Sequence, residues 1–109
     1  MKAQQISLSI VMPVYNEQEN IMFAIEQTML EFKNFKKAEL IVINDGSNDN
    51  TNNKLIDLSI KYHNLIVLKH YKNKGLAKSL KYGFVKVLND YIFFNSEDLP
   101  LHPKDLCNI

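Results

Sequence analysis

Two kinds of hydrophobic pattern alternate along the chain. Short, nearly continuous apolar runs occur at residues 6–12, 39–43, 65–68 and 91–94, and they are rich in Ile, Val, Leu and Phe. Such runs are typical of a parallel sheet whose two faces are both covered by helices. The pattern therefore predicts four buried β-strands.

Between these runs, apolar residues recur every three or four positions, which predicts one buried face on each of three helices. The faces comprise Ile21, Ile25, Thr28 and Phe32; Leu55, Leu58 and Tyr62; and Leu76, Leu80, Phe84 and Leu88. We expect Asn16 and Asp49 to cap the first two helices. The order β-α-β-α-β-α-β predicts a single α/β domain over residues 1–109, an open, doubly wound, mostly parallel sheet of Rossmann-like type.

Polar clusters follow every predicted strand, at residues 13–17, 44–49, 71–75 and 95–98. Ligands of doubly wound sheets bind beyond the carboxyl ends of the strands. The topology therefore predicts that these clusters, two of them acidic, meet at one edge of the sheet.

Composition narrows the classes of protein. The chain has 109 residues and a net charge of +1, which argues against a nucleic-acid-binding patch. Its single cysteine, Cys107, permits no disulfide within the chain. No stretch has the length of a membrane span or the form of a signal peptide. We expect a cytoplasmic protein, with a full-length form at the cytoplasmic face of the membrane.

Three of the polar clusters offer groups that a nucleotide could use, and each also has a purely structural interpretation. Asp45 could accept a hydrogen bond from a base N–H, or form a turn that caps the next helix. Tyr15 could lie beside a base with Glu17 near a helix N-terminus, or both could simply mark a strand exit. Lys74 beside Gly75 could contact phosphate at a helix N-terminus, or belong to a solvated face.

In order and spacing these clusters resemble the motifs of family 2 glycosyltransferases, which have the GT-A fold. Residues 8–21 (LSIVMPVYNEQENI) resemble the opening motif. Residues 41–51 (IVINDGSNDNT) resemble the second motif, usually VDDGSxDGT, and residues 73–77 (NKGLA) resemble the third. Residues 99–106 resemble the stretch that follows the metal motif in one branch of the family. That branch transfers sugars from UDP or GDP donors to polyprenyl phosphates.

The resemblance implies roles for the matched positions. It implies that Pro13, Tyr15 and Glu17 line the site of a UDP- or GDP-sugar, with Asp45 on the base. It implies a divalent cation, Mg or Mn, at an Asp-x-Asp motif whose second acid is Asp98. The third motif adds Lys74 and Gly75 to the predicted nucleotide site.

The chain departs from the family pattern at the metal motif. The family usually has Asp-x-Asp-Leu-Gln, whereas residues 96–100 read SEDLP. Ser96 is a weak ligand for a hard cation, so Glu97 or a shifted pair of Asn95 and Glu97 would have to compensate. Asn44 also replaces the first Asp of the second motif.

The resemblance further implies an acceptor-binding segment and a catalytic base beyond residue 109, so we expect a fragment of a longer protein. Whether this chain alone is an enzyme stays open. The leading hypothesis is the donor-binding part of an inverting glycosyltransferase with a possible lipid-phosphate acceptor. The alternative is a non-catalytic, degenerate domain of the same fold that serves binding or assembly, including self-association through an uncovered apolar face.

Other residues have structural interpretations. We expect His63 and His70, which flank the third strand, to lie at the surface. A phosphorylated receiver-like domain is disfavoured because residues 16 and 17 are not an acidic pair, and a dinucleotide-binding domain because the first strand is not followed by Gly-x-Gly-x-x-Gly.

Overall fold

A computed structural model describes residues 2–86 and the backbone of residues 91–94. A short 3-10 turn precedes four strands that alternate with three helices. In chain order these are β1 (Ser7–Val14), α1 (Ile21–Phe32), β2 (Lys37–Asp45), α2 (Thr51–Lys61), β3 (Leu65–His70), α3 (Leu76–Phe84) and β4 (Tyr91–Phe94). The predicted β-α-β-α-β-α-β order is confirmed.

The four strands form one parallel sheet in the order β3-β2-β1-β4. The chain moves outward from β1 to β3 and then returns to place β4 on the other side of β1. The order therefore reverses at β1, which is the position where open α/β sheets form a crevice beyond their strand ends.

Alternate residues of β1 and β2 face opposite layers, as the period of two in a β-strand requires. In β2, Leu40 and Val42 pack in the larger core cluster with α1 and α2. Ile41 and Ile43 pack on the other face with Val11, against residues of α3. Helices thus cover both faces, which confirms the doubly wound prediction and explains the nearly continuous apolar runs.

The face that α3 turns towards the sheet agrees only in part with the predicted one, because Leu80 packs against the core on that side as expected but its neighbours in the pattern do not. Leu76 and Phe84 are exposed, whereas the buried residues of α3 are Ser79 and Gly83. A Cβ built on Gly83 would lie 2.4 Å from Cγ1 of Val11, so this glycine lets the helix approach the sheet closely. Small residues, rather than the large apolar ones, therefore set the contact. Leu88, at the end of the predicted pattern, lies outside the described residues.

The helix caps were predicted with partial success. Oδ1 of Asp49 accepts the amide of Thr51, the first residue of α2, as expected. The prediction for Asn16 was wrong, because α1 begins only at Ile21 and the side chain of Asn16 binds elsewhere.

We expect Gly83→Ala to lower the free energy of unfolding by about 1–3 kcal/mol, because the added methyl group overpacks the contact with β1 and β2. Helix propensity alone predicts the opposite sign, a gain of roughly 0.5–1 kcal/mol. Chemical denaturation measures the difference, with Lys78→Ala on the exposed side of the same helix as the control. A more stable Gly83→Ala variant would contradict the close contact.

Candidate functional site

The side chain of Asp45 organises the edge at which the strands end. Asp45 is the last residue of β2, and its register partner on β3 is His70. It is buried, with 5% of its surface exposed. The sequence analysis assigned Asp45 to a loop, but the strand continues through it, so its side chain is held by the sheet.

Three donors reach the Asp45 carboxylate, one from the last residue of β3 and two from the loop that follows it. Its Oδ1 lies 2.8 Å from Nδ1 of His70 and accepts the amide of Lys74 at 2.9 Å. Its Oδ2 accepts the amide of Gly75, also at 2.9 Å. Gly75 immediately precedes α3, so one carboxylate holds the start of this helix against β2.

The same contacts determine the ionisation of Asp45. Burial alone would raise its pKa, because it disfavours the charged form. The amide of Lys74, the side chain of His70 and the amide of Gly75 outweigh burial and lower the pKa below its ordinary value. Asp45 is therefore a buried, ionised carboxylate at neutral pH.

Gly46 makes this arrangement possible by removing a side chain where the two loops touch. Its φ is +74°, and a Cβ at this position would lie 2.4 Å from the backbone nitrogen of Asn73 and 2.5 Å from the carbonyl carbon of Lys72. Gly46 thus leaves room for the loop of residues 72–75, and Asp45 holds that loop in place by hydrogen bonds. Asn44 supplies the turn that was considered for Asp45, since its Oδ1 accepts the amide of Ser47.

His70 contradicts the sequence analysis, which expected it at the surface. It is 8% exposed, and its ring stacks on Tyr82 of α3 with centroids 5.2 Å apart and planes inclined by 12°. His63 is exposed, as predicted. The sequence carries no direct signal for this placement, because it follows from the parallel register that pairs His70 with Asp45.

The loops after β1 and β2 are joined by reciprocal hydrogen bonds. The amide of Asn16 donates to Oγ of Ser47 at 2.9 Å, and Oδ1 of Asn16 accepts the amide of Asn48 at 3.0 Å. The amide of Glu17 donates to Oγ1 of Thr51 at 2.9 Å. These bonds explain the left-handed backbone of Asn16, whose φ is 52°. Asparagine tolerates this conformation better than most residues.

Gln18 extends the junction towards α2. Its Oε1 accepts the amide of Asn50 at 2.9 Å, and its carbonyl accepts the ammonium group of Lys54. The first two motifs of the sequence are therefore joined to each other by hydrogen bonds, at the edge of the sheet where Asp45 lies.

A comparison with protein families assigns the chain. Residues 9–109 match the model described as "Glycosyl transferase family 2". The chain belongs to glycosyltransferase family 2. A curated relative, the undecaprenyl-phosphate 4-deoxy-4-formamido-L-arabinose transferase of Photorhabdus laumondii subsp. laumondii, is 31% identical over 109 residues. That alignment covers 97% of this chain and 34% of the relative.

Solved structures show the same fold. The mannosyltransferase PcManGT from Pyrobaculum calidifontis, in complex with GDP-Man and Mn2+, superposes with a TM-score of 0.80 at 18% identity. S. aureus TarS 1-349 superposes with a TM-score of 0.75 at 21% identity. The matches cover 95% and 94% of this chain but 31% of each solved chain, so it spans about a third of their length.

Within this family 2 domain, the predicted nucleotide-site residues differ in accessibility. Pro13 is buried in β1, whereas the Tyr15 side chain, just beyond the strand end, is 42% exposed. Glu17 is half-buried in the junction between the loops, and Lys74 is exposed. Gly75, at φ +93°, has open space on the side where a Cβ would point.

A shallow pocket of about 320 Å³ lies on the outer side of the loop that Asp45 holds. It is lined by Lys69, His70, Tyr71, Lys74 and Tyr82. Two lysine side chains thus line a pocket that also contains the stacked rings of His70 and Tyr82.

The predicted metal ligands, Glu97 and Asp98, lie outside the described residues, as do Ser96 and Pro100. Within residues 2–86 and 91–94, no group of three His, Cys, Asp or Glu side chains could hold a metal ion. The described helices also include none that is long and apolar enough to cross a membrane.

The lowered pKa of Asp45 predicts a specific loss of stability in acid. Its folded pKa lies below its unfolded value of about 3.9, so its contribution is complete above that value and disappears as pH falls through the folded pKa. We expect Asp45→Asn to cost about 2–4 kcal/mol of unfolding free energy at pH 7, and the cost to shrink below about pH 4.

Denaturation of the wild type and Asp45→Asn between pH 3 and pH 8 measures this difference, with exposed Asp57→Asn as the control. A cost that does not change with pH would contradict an ionised Asp45.

A second prediction concerns the loop contact at Gly46. Gly46→Ala adds a methyl group against backbone atoms at a left-handed position, and we expect it to lower stability by roughly 2–5 kcal/mol. Gly75→Ala meets only the backbone strain, because open space surrounds its Cβ, and we expect a smaller cost of about 1–3 kcal/mol. Thermal unfolding of both variants gives the order, and a reversed order would argue against the loop contact.

Proposed function

We propose that this domain binds the nucleotide-sugar donor of a family 2 glycosyltransferase at the edge formed by β1, β2 and the start of α3. The single observation that carries the proposal is the buried Asp45 carboxylate, ionised and held by three donors. The exposed ring of Tyr15 lies just beyond the end of the neighbouring strand β1. A fixed acceptor and an exposed aromatic ring at one edge of the sheet are suited to a nucleotide base.

The charge on Asp45 favours the base, and disfavours the diphosphate, as the part of the ligand that lies next to it. Its carboxylate already occupies the amides of Lys74 and Gly75 at the start of α3, and its negative charge would repel phosphate there. A base that presents an N–H group, such as uracil or guanine, is the better neighbour. The diphosphate would then contact the Lys74 ammonium group rather than those two amides.

The remaining roles follow from the predicted positions. Tyr15 stacks on the base, Pro13 shapes the crevice floor, and Glu17 and Gly75 border the site. Asp98 with Glu97 would hold Mg or Mn, which neutralises the diphosphate as it leaves. The complex of PcManGT with GDP-Man and Mn2+ supports this assignment by analogy of fold.

We further propose that the whole protein transfers the sugar with inversion to a lipid-phosphate acceptor, as the name of the undecaprenyl-phosphate transferase relative suggests. The acceptor site and catalytic base would then belong to a longer protein of which this domain is part. Such an enzyme would act at the cytoplasmic face of the membrane.

One observation favours a different function. Ser96 stands where the family has the first metal-binding acid, and Pro100 stands where it has Gln. A domain that has lost its cation would bind nucleotide weakly or not at all. The second candidate is therefore a non-catalytic domain that serves binding or assembly.

Calorimetric titration with UDP and with GDP, each with and without Mn2+, tests the proposal. We expect one nucleotide to bind, more tightly with Mn2+, and Tyr15→Ala to weaken it at least fivefold through lost stacking, worth about 1–3 kcal/mol. Phe84→Ala is the matched control, since its side chain is similarly exposed (41%) at the far end of α3.

A folded chain that binds neither nucleotide would favour the assembly domain. Equal losses for the Tyr15 and Phe84 variants would remove Tyr15 from the site.

A further inference from the structure

We propose that His70 is a positioning residue of the donor site: by donating its Nδ1–H to Oδ1 of Asp45, it leaves Oδ2 as the oxygen that receives the ligand. The identity of the ligand rests on the proposed function, but the positioning role rests on contacts that exist without any ligand. His70 belongs to none of the segments that resemble the family motifs, and it ends the edge strand β3.

The chemistry of the pair fixes the direction of the hydrogen bond. An ionised carboxylate can only accept, so the hydrogen between the two groups must be on Nδ1 of His70. The bond is 2.8 Å long, between side chains that are only 9% and 7% exposed. A charge-assisted hydrogen bond with so little access to water strongly restrains both groups.

Tyr82 fixes the histidine ring in turn. The two rings are stacked, and Tyr82 packs in the core cluster beneath α3. The stack therefore restrains the plane of the imidazole, and the hydrogen bond to Asp45 selects which ring edge faces the carboxylate. Tyr82, His70 and Asp45 form a chain of contacts from the body of α3 to the loop that precedes it.

The hydrogen bond from His70 determines which oxygen of the Asp45 carboxylate is left for a ligand. A carboxylate has about four lone-pair positions, two on each oxygen. Among the described residues, Oδ1 accepts from His70 and Lys74, whereas Oδ2 accepts only from Gly75. Within residues 2–86 and 91–94, one position on Oδ2 has no donor, and we place the base N–H there.

Loss of the His70 donor would free a second position, on Oδ1. The carboxylate could then rotate or recruit water, and the amides of Lys74 and Gly75 would lose their fixed acceptor. The other polar groups that line the pocket beside His70 are Lys69, Tyr71, Lys74 and Tyr82. The two lysines are exposed donors and cannot replace its buried hydrogen bond.

Two substitutions distinguish the effect of the hydrogen-bond donor at residue 70 from the effect of side-chain size. His70→Asn keeps a donor close to the place of Nδ1, whereas His70→Leu fills the space without one. His63→Leu is the control, because His63 is exposed and lies two residues before the start of the same strand. If His70→Leu does not fold, His70→Gln replaces it, since its amide lies one bond too far to superpose on Nδ1.

The first readout needs no nucleotide. Amide hydrogen exchange of Lys74 and Gly75, followed by NMR in the free protein, reports their bonds to Asp45. We expect exchange about tenfold faster in His70→Leu, near wild-type exchange in His70→Asn, and no change in His63→Leu. Unchanged exchange in both His70→Leu and His70→Gln would overturn the positioning role.

The second readout compares the nucleotide that binds with its analogue methylated at the ring N–H of the base. We expect the wild type and His70→Asn to prefer the unmethylated nucleotide, and His70→Leu to reduce this preference about tenfold. An unchanged preference would overturn the assignment of Oδ2. If the wild type binds no nucleotide, the proposed function fails, and the exchange measurement still decides the role of His70.

Discussion

The structure of this edge depends on one buried charge. The Asp45 carboxylate joins the end of β2 to the end of β3 and the start of α3, which follow Asp45 by 25 and 30 residues in the chain. An ionised group in such surroundings is unfavourable unless donors surround it. His70 and the loop of residues 72–75 provide them, so the position of this loop follows from the need to solvate one carboxylate.

The fold itself was predictable because its signals are periodic. Continuous apolar runs located four strands, and their alternation with helices gave a doubly wound sheet. The errors have a common physical origin in close contacts between elements. Gly83 and Ser79 face the sheet although Leu76 and Phe84 are larger, because the distance between helix and sheet is set by the smallest side chains between them. No periodic pattern reports that distance.

The site was predictable to the level of its segments and not to the level of its bonds. Asp45, Lys74 and Gly75 were selected as independent contacts for a nucleotide, but two of them serve the third through their backbone amides. His70 was missed because a histidine beside a strand is usually exposed. Only the parallel register, which pairs it with Asp45, brings it into the site.

These contacts also explain why the first three motifs occur together in one sequence. Asn16 and Glu17 depend on Ser47 and Thr51 for their hydrogen bonds, and residues 72–75 depend on Asp45 and Gly46. The second motif is therefore the common support of the other two. In its Asp-Gly-Ser core, the side chains of Asp45 and Ser47 form hydrogen bonds with the neighbouring loops, and Gly46 leaves space for one of them because it has no side chain. A change in this core alters both neighbouring loops, whereas a change in either loop leaves the other connected to β2.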